Sequence, residues 1–179
     1  TLTFNVSKDI RDNVFYPEFG YYTYSAIETT GGFLKGSDEY HRYVVDFRNF
    51  EKYSSKFVIA ARVKYGKIDV REGTLEDYEK FHLGGGGTIR GYKNREYTGQ
   101  EELLGNIEFR YEINDNMKVY AFMDKGNLDF DSSNGSGEKT GYGLGLLFKT
   151  PMGMLRLDWG RPDEDGRGSE SYFNFGTMF

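Results

Sequence analysis

The residues best suited to specific chemistry in this chain are one arginine and the glycines around it. Arg90 lies near the end of the segment Gly84–Tyr92, which reads GGGGTIRGY. Glycine lets the backbone pass close to another part of the protein, because it has no Cβ. The guanidinium group is a planar fork that binds a carboxylate through two parallel hydrogen bonds. The sequence therefore predicts that Arg90 tethers a flexible segment to a fixed carboxylate.

Residues for covalent catalysis or metal binding are scarce. The chain has no cysteine and two histidines, His41 and His82. Asp77 lies five residues before His82, so a His–Asp general base is conceivable, but two surface histidines are the simpler interpretation. No Gly-x-Ser-x-Gly motif is present. We therefore predict no catalytic residue, no metal and no cofactor.

The composition favours many strands in a single domain. The 179 residues include 15 Tyr, 15 Phe, 24 Gly and only 3 Pro, and aromatic residues are enriched in strands. The formal net charge of −5 argues against a nucleic-acid partner, which would require a basic surface.

Alternation of apolar and polar residues predicts an all-β, antiparallel fold. In Leu103–Asn114, Ile107 and Phe109 share one face, whereas Glu108 and Arg110 share the other. Nine segments show this period: Thr1–Lys8, Tyr21–Thr30, Tyr40–Tyr53, Lys56–Asp69, Leu103–Asn114, Met117–Asp129, Gly141–Thr150, Met154–Gly160 and Ser171–Phe179. A long structureless loop over residues 70–102 carries the glycine run, and loops of this length are usually functional or disordered.

Short turns alternate with long polar loops, as in outer-membrane barrels. In that interpretation the apolar faces contact lipid, through Phe57, Ile59, Val63, Ile107, Phe109, Leu144, Leu146, Leu155, Leu157 and Trp159. A soluble β-sandwich or lipocalin-like barrel would place the same faces inside, and alternation alone leaves both open. The aromatic strand that ends at Phe179 favours the membrane barrel, because soluble proteins usually end in frayed, polar residues.

Several motifs, in order along the chain, resemble the BamA/TamA superfamily of outer-membrane assembly proteins, the outer-membrane-protein-85 type. Residues 9–13 (DIRDN) with Pro17 and Gly20 resemble the family's turn, and residues 86–92 (GGTIRGY) resemble its inward-folded loop. Further matches are residues 105–108 (GNIE), 122–126 (FMDKG), 150–153 (TPMG), 155–158 (LRLD) and 173–176 (FNFG), with Phe179.

The resemblance implies a role for each group of residues. The loop tether would consist of Gly86, Gly87, Ile89, Arg90, Gly91 and Tyr92, held by the carboxylates of Glu108 and Asp124. The C-terminal insertion signal would consist of Phe173, Phe175 and Phe179. Residues 1–179 would form a single outer-membrane β-barrel domain of a Gram-negative-type bacterium. Its implied function is protein insertion, secretion or lipid remodelling without covalent catalysis, with membrane lipid and client outer-membrane or secreted proteins as partners.

The size of the chain raises a physical difficulty. The family's barrel has sixteen strands and follows periplasmic repeats, whereas these motifs cover only the C-terminal part of such a barrel, with eight or nine strands. An eight-stranded barrel is filled by its own side chains and cannot enclose the long loop. Unpaired edges in lipid would cost several kcal/mol per backbone group. We therefore expect a homodimer in which a second copy completes the wall, with Thr1–Lys8 outside the main sheet or acting as the pairing edge. A passive pore and a small outer-membrane enzyme are the alternative functions.

Overall fold

The computed structural model describes residues 1–32, 38–128, 137–151, 153–176 and 178–179. Within these ranges the fold is all-β and antiparallel, as predicted. No helix in the described part is long and apolar enough to cross a membrane. The eleven strands are β1 (Leu2–Asp9), β2 (Gly20–Thr30), β3 (Glu39–Lys52), β4 (Phe57–Glu72), β5 (Phe81–Leu83), β6 (Tyr97–Gly99), β7 (Glu101–Asn114), β8 (Met117–Leu128), β9 (Gly137–Thr150), β10 (Gly153–Pro162) and β11 (Glu170–Phe175).

Nine of these strands form one sheet in the order β1-β2-β3-β4-β7-β8-β9-β10-β11. Of the two alternatives for the first segment, the one that places it outside the main sheet is wrong, because β1 pairs with β2 along its whole length, from Leu2 opposite Thr29 to Asp9 opposite Tyr22. Over the described residues, β1 and β11 each pair with one neighbour, so the sheet has two open edges. A closed barrel within one chain is therefore not observed.

The prediction of a structureless loop over residues 70–102 needs correction. β4 extends to Glu72 and β7 begins at Glu101, so the connection covers residues 73–100. Within it, β5 and β6 form a two-stranded hairpin from Phe81 opposite Gly99 to Leu83 opposite Tyr97. Alternation over three residues is too short to recognise in a sequence, and the hairpin gains its stability by packing on the main sheet.

Polar side chains line the inner face of the sheet, and apolar side chains cover its outer face. In β7, Glu108 and Arg110 are fully buried, whereas Phe109 is 42% exposed. Further along the sheet, Leu144 on β9 and Trp159 on β10 are 61% and 51% exposed. The other residues expected on the outer face are exposed or half-buried there. This inside-out arrangement is that of a wall between lipid and a polar lumen.

The C-terminal residues depart from the predicted strand. β11 ends at Phe175, and Gly176 adopts a left-handed conformation with φ of +92°. The alternation is therefore broken before Phe179, which does not share a face with Phe173 and Phe175. Phe173 and Phe175 are exposed on the outside, whereas Phe179 is buried in the interior against Phe50 and Ala60.

Candidate functional site

The connection between β4 and β7 folds over the inner face of the sheet and presents Arg90 at its tip. Apolar packing positions it: Ile89 is fully buried in a cluster with Phe81, Leu83, Tyr92 and other residues of the loop and the wall. The backbone N–H of Gly85 lies 3.1 Å from the carbonyl oxygens of both Ile89 and Tyr92, which closes the tip into a compact turn.

Arg90 contacts carboxylates from three strands. Its Nε and Nη2 donate to the two oxygens of Asp124 on β8, each at 2.6 Å, and its backbone N–H donates to the same carboxylate at 3.0 Å. Its Nη1 donates to Glu108 on β7 at 2.7 Å and to Asp158 on β10 at 3.2 Å. The guanidinium carbon also lies 3.5 Å from the ring centre of Phe122, which adds a cation–π contact. The structure thus brings Arg90 together with both predicted carboxylates and a third one.

Two further arginines complete what we call the inner network: Arg90, Arg110, Arg156, Glu108, Asp124 and Asp158. Arg110 lies 2.7 Å from Glu108, and Arg156 lies 2.8 Å from Glu108 and 2.6 Å from Asp158. All six side chains are buried, and three positive charges balance three negative ones. A buried charge is tolerated when it is paired and hydrogen-bonded in this way, so each member depends on the others.

Two glycines of the wall let the loop approach closely. A Cβ on Gly141 of β9 would lie 1.8 Å from the carbonyl oxygen of Arg90. A Cβ on Gly160 of β10 would lie 2.6 Å from the backbone nitrogen of Gly91. Any side chain at either position would push the loop tip away from the sheet, so these glycines set the distance between them.

The remaining residues of the predicted tether motif lie along the same path. Gly87 offers its carbonyl oxygen to Arg62 at 3.4 Å, and Arg62 is itself paired with Asp46 at 2.8 Å. The backbone N–H of Gly91 donates to the hydroxyl of Tyr172 at 2.9 Å. Tyr92 is buried, and its hydroxyl lies 3.1 Å from the carbonyl oxygen of Thr140. Gly86 lies beside Tyr172 and Asn174.

A second, more exposed group of contacts holds the loop near β6. We call Arg167, Glu96, Glu164 and Lys139 the outer contacts. Arg167, in the β10–β11 connection, pairs with Glu96 of the loop and also with Glu164. Glu164 accepts a hydrogen bond from Lys139 at 2.8 Å, which lowers the pKa of that carboxyl. Burial is the largest single influence on the Glu96 carboxyl and raises its pKa. The hydrogen bond and charge of Arg167, together with the hydrogen bond from the backbone N–H of Lys93, outweigh burial, so the net shift of this pKa is downward.

The histidine–aspartate pair considered from the sequence does not form. Asp77 pairs with Lys80 at 2.8 Å, and His82 contacts Arg95. His41 lies 3.1 Å from the hydroxyl of Thr29. Over the described residues, no group of three or more His, Asp or Glu side chains is arranged to hold a metal ion. The chemistry of the site is ion pairing.

Sequence reasoning missed half of the inner network. Arg110 was recognised only as a charge on the polar face of its segment, and Arg156 and Asp158 only as part of the matched residues 155–158. A signal was present, since one arginine facing two carboxylates leaves a buried net charge of −1 and calls for another cation. The oppositely charged pairs Glu108–Arg110 and Arg156–Asp158 lie on the polar faces of β7 and β10. Pairing those charges required knowing that the loop packs on β10.

Comparisons with known proteins show what this chain is similar to. The model of the Omp85 superfamily domain matches residues 1–179. The outer membrane protein assembly factor BamA of Nitratidesulfovibrio vulgaris is 26% identical over 97% of this chain and 25% of its own length. Outer envelope protein 39 of Arabidopsis thaliana chloroplasts is 31% identical over 58% of this chain and 34% of its own.

Among solved structures, BamA from Haemophilus ducreyi lacking POTRA domains 1–3 superposes with a TM-score of 0.77 at 16% identity, which is a likeness of fold. The match covers 96% of this chain and 40% of that one. The chain thus spans a quarter to a third of the two curated relatives. The outer-membrane location predicted from the sequence is confirmed by these matches, and the chain belongs to the Omp85 superfamily.

Proposed function

We propose that residues 1–179 form one wall of an outer-membrane barrel that inserts or translocates proteins, and that the Arg90 loop is its internal brace. The observation that carries this proposal is the inner network, a buried and charge-balanced cluster that joins the loop to β7, β8 and β10. In this proposal the network acts by holding the loop in position, and the function needs no covalent catalysis.

The loop also bears on the alternative of a passive pore. Ile89, Arg90 and Tyr92 are at most 1% exposed, so the tip packs closely on the inner face of the sheet. A loop held there narrows any lumen that this wall encloses, which favours a brace over a wide, water-filled channel. The partners that fit a wall with an apolar outer face are membrane lipid around it and client outer-membrane or secreted proteins in extended form at its edges.

We further propose that a second copy completes the wall as a homodimer. The edge strands β1 and β11 have eight and six residues. Their unpaired backbone groups would be costly in the hydrocarbon region, and pairing of β1 with the β11 of another copy would satisfy them. Two copies would also give a lumen wide enough for the two folded-in loops.

Reconstitution tests the function. The purified chain in liposomes should speed the folding of a urea-denatured small outer-membrane barrel several-fold over empty liposomes, measured as heat-modifiable, protease-resistant protein. Arg90→Lys, which keeps the charge but loses the fork, should reduce that gain. No acceleration, together with stable conductance steps in a planar bilayer without any client, would identify a passive pore instead.

Cysteine cross-linking tests the dimer. The chain has no native cysteine, so a disulfide can form only between introduced ones. Single cysteines at inward positions of β1 (Thr3, Asn5 and Ser7) are each mixed with Asn174→Cys on β11. We expect a disulfide-linked dimer for the cysteine in register, and none for Ser54→Cys in the β3–β4 turn. A monodisperse monomer with no cross-link at any of the three positions would contradict the dimer without affecting the brace.

A further inference from the structure

Tyr172 joins the loop tip to the edge of the sheet. Its hydroxyl accepts a hydrogen bond from the backbone N–H of Gly91 at 2.9 Å and donates one to the carbonyl oxygen of Tyr92 at 2.6 Å. One side chain therefore satisfies both a donor and an acceptor of the loop, directly after Arg90. Sequence reasoning did not single out this tyrosine.

The position of Tyr172 in the sheet brings this contact next to the inner network. It lies on β11, directly opposite Asp158 of β10 in the strand register. Asp158 belongs to the inner network and is 3.2 Å from Arg90. The loop reaches β11 by passing over Gly160, where no side chain blocks it, and its Gly86 lies beside Asn174. The tip thus covers the inner face of the edge strand as well as that of β10.

β11 has few other contacts to hold it. It is six residues long and pairs with β10 from Leu155–Phe175 to Gly160–Glu170. Phe173 and Phe175 point outward and are 59% and 64% exposed. No second strand pairs with β11 in the part of the chain that the structure describes. The two hydrogen bonds of Tyr172 therefore add to the ladder with β10 and tie the strand to the loop tip.

We propose that Tyr172 is a positioning residue that couples the edge strand β11 to the Arg90 site. When the tip is seated, the two hydrogen bonds hold β11 on β10; when the tip loosens, β11 is freed as well. The ability of this edge to pair with an incoming extended strand then depends on the inner network. This consequence rests on the proposed function, whereas the coupling itself can be measured without any client.

The test is hydrogen exchange of the full chain in membrane-mimetic discs, followed by mass spectrometry of peptides covering 170–176. Tyr172→Phe removes the hydroxyl and keeps the ring, so exchange in β11 should become about tenfold faster, as expected for two lost hydrogen bonds. Tyr142→Phe, at an exposed outward position of β9, is the matched control and should leave β11 exchange unchanged.

A second variant separates coupling from local packing. Arg90→Lys should speed β11 exchange in the wild-type background but add little in the Tyr172→Phe background, because the connection is already cut. The proposal is overturned if Tyr172→Phe leaves β11 exchange unchanged, or if the effects of the two substitutions simply multiply. If Tyr172→Phe does not insert, Arg90→Lys alone decides: unchanged β11 exchange then contradicts the coupling.

Discussion

The Arg90 loop is fastened to the rest of the protein in two places that differ in burial. At the tip, the inner network has six charges that each have an ion-pair partner and almost no exposure. Near β6, the outer contacts use the same kinds of charge, but the side chains of Arg167 and Glu164 are each 33% exposed. Water and salt screen exposed pairs, so these contribute little, whereas a buried charge that loses its partner is strongly destabilising. The inner network therefore sets the position of the loop, and the outer contacts add only a small stabilisation.

The largest effect is expected from Glu108→Ala. Glu108 lies within 2.8 Å of Arg90, Arg110 and Arg156, so its removal leaves three guanidinium groups with two carboxylates. The free energy of unfolding should fall by about 3–5 kcal/mol, measured by urea titration in detergent. Glu138→Ala removes a surface partner of Lys125 and should change it by about 0.5 kcal/mol at most. Equal effects of the two substitutions would show that burial does not strengthen the ion pairs of the inner network.

Ile107, next to Glu108 on β7, tests the outer face of that strand. Ile107→Arg should destabilise insertion by about 2–4 kcal/mol if the site is near the bilayer midplane, whereas Ile113→Arg, close to the turn, should cost about 0–1 kcal/mol. Folding titrations in lipid vesicles measure both. A negligible cost at Ile107 would mean that this face does not contact the hydrocarbon region.

Close approach of the loop to the wall predicts a smaller effect for Gly141→Ala. The added methyl group meets the carbonyl oxygen of Arg90, so the tip must shift, at a cost of about 1–3 kcal/mol. Gly105→Ala is the control, because the nearest atom to its Cβ would be 3.9 Å away. Similar unfolding midpoints for the two variants would show that the loop does not press on β9.

The outer contacts should give the smallest effect, with a defined pH dependence. Because the pKa of Glu96 is lowered in the folded state, its stabilisation is complete above the ordinary value of 4.5 and is lost as pH falls through the lowered value. Glu96→Gln should thus cost about 0.2–1 kcal/mol at pH 7 and nothing at the acidic end. Unfolding of wild type and variant across pH 3–7 measures the difference. Glu76→Gln in the same loop should show no difference at pH 7, and a gap that widens on acidification would contradict the assignment.

The sequence predicted the strands well and the site in part, for a physical reason. Alternation reports which face of a strand is polar, and the resemblance implies that this face is inside. Glu108 and Asp124 were therefore expected on the inner face, opposite Ile107 and Met123, and both side chains are buried. Alternation does not report which strands a loop covers, so Asp158 and Tyr172 were not connected with Arg90. The β5–β6 hairpin was missed because three-residue strands depend on tertiary packing, and Phe179 was misplaced because the turn at Gly176 breaks the period.

A double-mutant cycle between Arg90 and Asp124 tests the brace most directly. The variants Arg90→Ala, Asp124→Ala and the double variant are compared with wild type by urea unfolding in detergent. If the two side chains form one buried pair, the double variant should cost less than the sum of the single ones, with a coupling of about 0.5–3 kcal/mol. Additive effects would show that Arg90 and Asp124 are neighbours without mutual dependence, and the loop would not be braced through this site.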